Sequence, residues 1–192
     1  MSSFSEEFAS TGFSFDTSRD LDFCANPSQF VTSASQLVAL RFDSVFYSAT
    51  ETNTVLAYVR FTTRFPSAGS VSVSIRAETA CHPENFLHNT LLDVYERRTT
   101  STVVEWKPSE WWTVGEQGYA QCTADLRPLL AELWSSGAWG SDCSLSLVLE
   151  SSADTMIAGS GVGSLSSVLT PTRIAYGWDN PPLLTFVVDS SR

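Results

Sequence analysis

The residues from Trp106 to Glu150 constrain the fold of this chain more than any other stretch. They read, in order, as a tryptophan-rich turn, one amphipathic helix, a turn around Gly137 to Gly140, and a hydrophobic strand. The helix is predicted near 124–135, because apolar residues recur there at intervals of three and four and form one stripe: Leu126, Leu129, Leu130, Leu133 and Trp134. Thr123 or Asp125 can cap its start, and Gly137 ends it. One helix in an otherwise β-rich chain indicates a scaffold of packed sheets.

The segments on either side of this stretch read as short strands. Apolar and polar residues alternate over 37–43, 54–65 and 70–78, and again in the strand from Leu145, as expected when one face of a sheet is buried. Strands are also predicted at 103–106, 111–114, 173–178 and 183–188, and the phenylalanine-rich segment 5–23 reads as an edge strand or two. The pattern predicts an all-β chain folded as an antiparallel β-sandwich with one short α-helix.

The length and charge of the chain limit its organisation and its partners. At 192 residues it fits one domain over 1–192, with a Ser- and Gly-rich loop inserted at about 151–171. The net charge of −10 works against binding to nucleic acid or to an anionic membrane surface. The longest apolar runs are too short to span a bilayer, so membrane insertion is not expected.

The four cysteines, Cys24, Cys81, Cys122 and Cys143, are widely spaced. Cys122 and Cys143 bracket the helix, and a bridge closing a loop of that size would stabilise the fold by about 3 kcal/mol. We therefore predict the pairs Cys122–Cys143 and Cys24–Cys81. Two alternatives stay open: a zinc site completed by His82 and His88, and four free thiols.

Several short stretches, in this order, carry a family resemblance: 5–7, 18–23, 36–42, 57–61, 75–78, the Trp106-x-Pro-x-x-Trp111 turn, Thr123–Leu126, Gly137–Trp139, 173–176 and 182–184. Together they resemble the DNRLRE-like and carbohydrate-binding-module-like jelly-roll domains of large secreted proteins. The resemblance covers nearly the whole chain. It implies a jelly-roll topology for the sandwich and a non-catalytic role in glycan binding, adhesion or spacing. The cysteines and the 151–171 loop depart from the pattern of these domains.

Two tryptophans are the best candidates for contact with a sugar. Trp112 follows Trp111 in a predicted strand, so the two rings point to opposite faces and one can meet solvent. Trp178 lies beside Asp179 and Asn180, whose polar side chains could hold a sugar next to the ring. The other large indoles, Trp106, Trp111, Trp134 and Trp139, are expected in the core.

The carboxylates of Asp20 and Asp22 are candidate ligands for a structural calcium ion, together with Asp16 and Asp179. The alternative for Asp20 and Asp22 is a solvated edge strand that discourages pairing between sheets. No other cofactor is expected.

Catalytic motifs are weak in this sequence. The serines lack a G-x-S-x-G elbow, and the His82-x-Glu84 beginning of a deaminase motif lacks its downstream cysteines. A glycosidase would need two of Glu78, Glu84, Glu96 and Glu105 to converge. We therefore expect no enzymatic activity.

The sequence favours an extracellular module that binds carbohydrate or another cell-surface ligand. The alternative is a structural subunit of a filament, cell coat or virion that contacts neighbouring subunits. Its N-terminus has neither the basic region nor the apolar core of a signal peptide, so we expect the chain to be a segment of a larger secreted or surface product.

Overall fold

The computed structural model describes residues 3–9, 12–13, 20–22, 36–45, 54–65, 72–86, 94–110, 113–140, 142–152, 174–176 and 182–189. Its strands are, in chain order, β1 Ser3–Ala9, β2 Gly12–Phe13, β3 Asp20–Asp22, β4 Gln36–Phe42, β5 Thr54–Arg60, β6 Thr63–Phe65, β7 Ser72–Ala77, β8 Val104–Trp106, β9 Leu145–Ser152, β10 Ile174–Tyr176 and β11 Leu183–Asp189. The helix α1 spans Arg127–Ser135, and a short 3-10 helix spans Tyr119–Gln121.

These strands form three sheets in which every pairing is antiparallel. A five-stranded sheet has the order β2-β4-β9-β7-β8, and two three-stranded sheets have the orders β1-β11-β5 and β3-β10-β6. Each of the N-terminal strands β1, β2 and β3 lies at the edge of a different sheet. The prediction of edge strands in this region is therefore confirmed.

The centre of the five-stranded sheet follows the alternating pattern of the sequence. Its inward-facing side chains are almost completely buried: Val38, Leu40 and Phe42 in β4, Leu145, Leu147 and Leu149 in β9, and Val73, Ile75 and Ala77 in β7. Burying a side chain of the size of Leu or Phe contributes roughly 1.5–3 kcal/mol. β9 is also buried on its other face, where Ser146 and Val148 lie.

The strand β5 departs from strict alternation at one residue. Leu56 pairs with Val187 and Thr54 pairs with Val188, so Val55 is an extra residue in β5. A bulge of this kind re-aims the side chain. Val55 is therefore 44% exposed, although its position in the alternating pattern predicts the same buried face as Ala57.

The outer edge of β5 is covered by the chain segment that leads into the helix. The Thr123 amide donates to the Val59 carbonyl at 2.9 Å, and the Val59 amide donates to Thr123 Oγ1 at 3.0 Å. The Phe61 amide likewise donates to the Gln121 carbonyl at 3.0 Å. This pairing satisfies backbone groups that an edge strand would otherwise expose.

The helix buries the predicted leucine stripe. Leu126, which precedes the first helical residue, and Leu129, Leu130 and Leu133 are at most 1% exposed, and Trp134 packs partly buried against the same core. The Arg127 amide donates to Asp125 Oδ1 at 3.1 Å, which supplies the partner that a helix start requires. Gly137 adopts a φ of +70° just beyond the C-terminus, as predicted from its sequence position.

One hydrophobic core joins these elements. It contains side chains from β5 and β11, from the five-stranded sheet, and from α1. Phe61, just after β5, stacks on Trp106 of β8 with ring centroids 5.5 Å apart. The structure thus confirms an all-β chain of antiparallel sheets with one helix. Among the described residues, no helix is long and apolar enough to cross a membrane.

Candidate functional site

The residues predicted to bind a ligand lie mostly where the structure gives no description. Trp112, Trp178, Asp179 and Asn180 are all outside the described residues. The calcium candidates Asp20 and Asp22 lie in β3, where they pair with Tyr176 and Ile174 in the backbone register. Their side chains are not among those described, so both binding predictions stay predictions.

The predicted cysteine pairing is wrong. Cys143 is bonded to Cys81, and Cys122 is a free thiol, so neither Cys122–Cys143 nor Cys24–Cys81 can form. The physical reason is the sheet register. Ser146, at the start of β9, accepts from the amide of Glu78 at the end of β7, and the Ser144 amide donates to the Cys81 carbonyl at 2.9 Å. Cys122 instead lies beside Arg60 of β5.

The disulfide lies in a region that contains several charged and polar side chains. It lies where β4 and β7 end and β9 begins, and we call the region formed by 41–45, 78–86, 94–98 and 142–144 the disulfide end. Several backbone bonds hold these segments together. The Val45 amide donates to the Cys143 carbonyl at 3.1 Å, and the Thr79 amide donates to the Arg98 carbonyl at 2.9 Å.

A buried ion pair anchors the loop at 78–86. Arg97 Nη1 lies 2.9 Å from Glu78 Oε2, and the two side chains are only 7% and 10% exposed. The same guanidinium donates to the backbone carbonyls of Glu84 at 2.9 Å and Asn85 at 3.3 Å, and it lies over the ring of Phe86. Glu78 is therefore held as a structural carboxylate, and Arg97 fixes the path of the loop.

A second polar network connects the loop to β4. Arg41 donates to Asn85 Oδ1 and forms a salt bridge with Asp43 at 2.8 Å. Asp43 also accepts a hydrogen bond of 3.1 Å from the hydroxyl of Ser144. The contacts orient the Asn85 amide and the Asp43 carboxylate, and both residues are exposed.

Next to these networks, His82 and Asp142 flank the disulfide in exposed positions. The His82 Nε2 atom lies 3.6 Å from Cys81 Sγ. Ligand atoms of Cys81, His82 and Asp142 all lie within 4.8 Å of one another. His82 was one candidate in the zinc alternative, and its partner there, His88, lies outside the described residues.

The disulfide end therefore presents hydrogen-bond donors and acceptors of several kinds on a fixed backbone. Guanidinium, amide and imidazole groups can donate, and the carboxylates of Asp43, Glu84 and Asp142 can accept. Tyr95, two residues before Arg97, adds a ring that is 62% exposed. Such a surface offers hydrogen-bond partners to the polar groups of a ligand.

Away from this region, three groups among the described residues have shifted pKa values. Burial raises the pKa of the Cys122 thiol against the opposing effect of Arg60. Burial also raises the pKa of Asp125, but hydrogen bonds from Arg127 and from the Ala57 amide outweigh it and lower the pKa overall. Hydrogen bonds from Thr102 and Ser101 lower the pKa of Glu132 to about 2. These interactions stabilise the fold, and a protonated Cys122 is a poor nucleophile.

Several residues of the disulfide end were not singled out as site residues from the sequence. Arg41, Asn85 and Arg97 come from segments that the topology brings together, and no short motif contains them. The one local indication of a site in this region was the His82-x-Glu84 stretch, which begins a deaminase motif but lacks its downstream cysteines. The exposure of Tyr95 likewise depends on the fold.

No protein-family model matches the chain, and no curated protein matches it. The resemblance to DNRLRE-like and carbohydrate-binding-module-like domains therefore stays a prediction.

Proposed function

We propose that this chain is a non-catalytic, extracellular β-sandwich module of the jelly-roll type that binds carbohydrate or another cell-surface ligand. The binding surface includes the disulfide end, and the predicted residues Trp112, Trp178, Asp179 and Asn180 remain part of the proposal. Calcium bound by Asp20 and Asp22 is an optional structural addition.

The observation that carries this proposal is the set of bonds that hold the polar loop at the disulfide end. A covalent bond, a buried ion pair and backbone hydrogen bonds hold the loop at 78–86 in place. A binding site benefits from such support, because less conformational entropy is lost when the ligand is bound. Loops fixed at the end of a sheet scaffold are a common location for ligand recognition.

The chemistry of the region favours a neutral polyhydroxylated ligand. Carboxylate and amide oxygens accept hydrogen bonds from sugar hydroxyls, while Arg41 and His82 supply donors. The net charge of −10 disfavours an anionic partner such as nucleic acid. The disulfide supports an oxidising, extracellular location, since such bonds persist mainly outside the cytosol.

A glycan array followed by titration calorimetry on any sugar that binds tests this proposal. The variants are Asn85→Ala and Tyr95→Ala at the disulfide end, with Trp112→Ala and Trp178→Ala for the predicted aromatic platform. Tyr119→Ala is the matched control, because it removes a ring that is 94% exposed on the segment beside β5.

We expect Asn85→Ala or Tyr95→Ala to weaken binding by roughly tenfold, as the loss of one hydrogen bond or stacking contact does. The control should bind like the wild type. An array without any bound glycan, or binding that ignores all four site variants, would rule out carbohydrate recognition by these residues.

The alternative role, a structural subunit, is favoured by one separate observation. Val55 and Leu56 are 44% and 37% exposed on β5, and Val114 is 51% exposed. Exposed apolar side chains of this kind can contact a neighbouring subunit. Sedimentation velocity over a wide concentration range tests this role: self-association that Leu56→Ser abolishes would support it, and a monomer at every concentration would exclude self-assembly.

A further inference from the structure

Two dipeptides meet at the disulfide end and bring metal-binding atoms together. Cys81 and His82 come from the loop after β7, and Asp142 and Cys143 come from the turn before β9. The ligand atoms of Cys81, His82 and Asp142 lie within 4.8 Å of one another, and Cys143 Sγ is bonded directly to Cys81 Sγ. Two sulfurs, an imidazole nitrogen and a carboxylate oxygen make a donor set that zinc binds in tetrahedral sites.

One of the distances between these atoms matches what a zinc site requires. With typical Zn–S and Zn–N bond lengths, a tetrahedral site separates a sulfur from a nitrogen by about 3.6 Å. Cys81 Sγ and His82 Nε2 are 3.6 Å apart in this structure. The two sulfurs would have to separate to about 3.8 Å, which side-chain rotation can supply once their bond is broken.

The backbone around the sulfurs is held by bonds that do not involve the disulfide. The Ser144 amide donates to the Cys81 carbonyl at 2.9 Å, and the Val45 amide donates to the Cys143 carbonyl at 3.1 Å. The Gly140 amide donates to Cys143 Sγ at 3.1 Å, an interaction that would also stabilise a thiolate. The donors therefore remain neighbours after reduction. Because His82 and Asp142 are exposed, a metal ion can reach them from solvent.

We propose that reduction converts this disulfide into a zinc site whose ligands are Cys81 Sγ, Cys143 Sγ, His82 Nε2 and an Asp142 carboxylate oxygen. A dithiol reductant transfers two electrons and two protons to the S–S bond, which breaks to give two thiols, while the reductant closes its own disulfide. Zinc then binds both sulfurs as thiolates and releases the two protons to solvent. The protein thereby exchanges a covalent crosslink for a metal crosslink at the same place. This site overlaps the disulfide end, but the proposal does not depend on the ligand-binding role proposed above.

Cobalt(II) substitution tests the proposal with a spectroscopic signature. The full chain carrying Cys24→Ser and Cys122→Ser, which removes competing thiols, is reduced with dithiothreitol, freed of reductant by anaerobic gel filtration and titrated with Co²⁺ and then Zn²⁺. The oxidised protein is titrated in parallel. Reduced wild type is examined by native mass spectrometry, so that the test does not depend on the serine variants folding.

We expect the reduced protein to bind one cobalt ion with release of about two protons and with thiolate charge-transfer and tetrahedral ligand-field bands, and we expect zinc to displace the cobalt. His82→Ala and Asp142→Ala should each weaken metal binding roughly tenfold or more, and Cys81→Ser should remove the contribution of that thiolate to the charge-transfer bands. If the two sulfurs alone bound the metal ion, His82→Ala would leave the metal affinity unchanged.

Three results would overturn the proposal: a reduced protein that binds no zinc, cobalt spectra without thiolate bands, or equal affinity in the oxidised and reduced forms. Metal affinity unchanged by both His82→Ala and Asp142→Ala would reject the assigned ligand set.

Discussion

At the scale of single residues, the interaction between Glu78 and Arg97 determines how the disulfide end is built. Arg97 contacts the Glu78 carboxylate, two backbone carbonyls of the loop and the ring of Phe86. A buried charge of this kind is stable only while its partner is present, because desolvation of a lone carboxylate is costly. The pair therefore couples the position of the loop to the stability of the fold.

Replacing Arg97 by Leu should destabilise the protein by about 3 kcal/mol, since it leaves the Glu78 carboxylate buried without its partner. Urea unfolding at neutral pH, followed by tryptophan fluorescence, measures the change. Arg98→Leu is the matched control, because Arg98 is the exposed neighbour and contributes its backbone carbonyl to the contact with Thr79. Equal stability of the two variants would show that the buried pair is not important.

Residue-level contacts of this kind could not be predicted from the sequence. Glu78 and Arg97 are separated by a loop of irregular pattern, so nothing local marks them as partners. The cysteines show the same limit: the predicted Cys122–Cys143 bridge relied on proximity to the helix, whereas the sheet register places Cys143 beside Cys81. Pairing of side chains follows topology, which one sequence does not specify.

At the scale of elements, the Glu132 side chain of α1 bonds the helix to the residues just before β8. The Glu132 carboxylate of α1 accepts hydrogen bonds of 2.7 Å from the amides of Ser101 and Thr102, just before β8. These bonds hold the pKa of Glu132 at about 2. The helix thus depends on an ionised carboxylate for its attachment to the five-stranded sheet.

Glu132→Gln should lower stability at neutral pH, because an amide offers only one acceptor where the carboxylate has two. The folded pKa of about 2 lies below the unfolded value of about 4.3. The stabilisation is therefore complete above about pH 4.3 and is lost as the pH falls towards 2. Urea midpoints of wild type and variant should differ at pH 7 and approach each other as the pH falls to about 2.

The matched control for this experiment is Glu96→Gln, which removes an exposed carboxylate from the turn at 94–97. We expect its urea midpoint to follow that of the wild type across the same pH range. A Glu132→Gln difference that stays constant from pH 7 to about 2.5 would contradict the role of the ionised carboxylate.

Most elements could be predicted from residue patterns, and the failures have local causes. Period-two alternation found β4, β7 and β9, and the leucine stripe found α1. The bulge at Val55 broke the pattern in β5, and the predicted strand over 111–114 gives way to a turn at its described end. There the Glu116 amide donates to the Thr113 carbonyl at 3.2 Å, and Gly115 takes a φ of +82°, as in a type II turn. Gly115 was the residue in the sequence that could have indicated this turn.

At the scale of the whole molecule, the disulfide joins the region after β7 to the turn before β9, sixty-two positions apart. Closing a loop of that length restricts the unfolded chain and contributes about 4 kcal/mol in the chain-entropy model. The same bond lies within the polar surface proposed to bind a ligand and within the proposed zinc site. The sequence pattern predicted the all-β class. It did not predict that the disulfide, the proposed binding surface and the proposed zinc site lie together at one end of a sheet, because that depends on the topology.

The structure of the disulfide end depends most on which cysteines form that bond, and disulfide mapping identifies them directly. The protein is denatured without reductant, free thiols are alkylated, and the proteolytic peptides are analysed by mass spectrometry before and after reduction. We expect a crosslinked pair of peptides that contain Cys81 and Cys143, with Cys122 alkylated as a free thiol. A crosslink between Cys122 and Cys143 would contradict the account, because the disulfide end would then lack the bond that holds it.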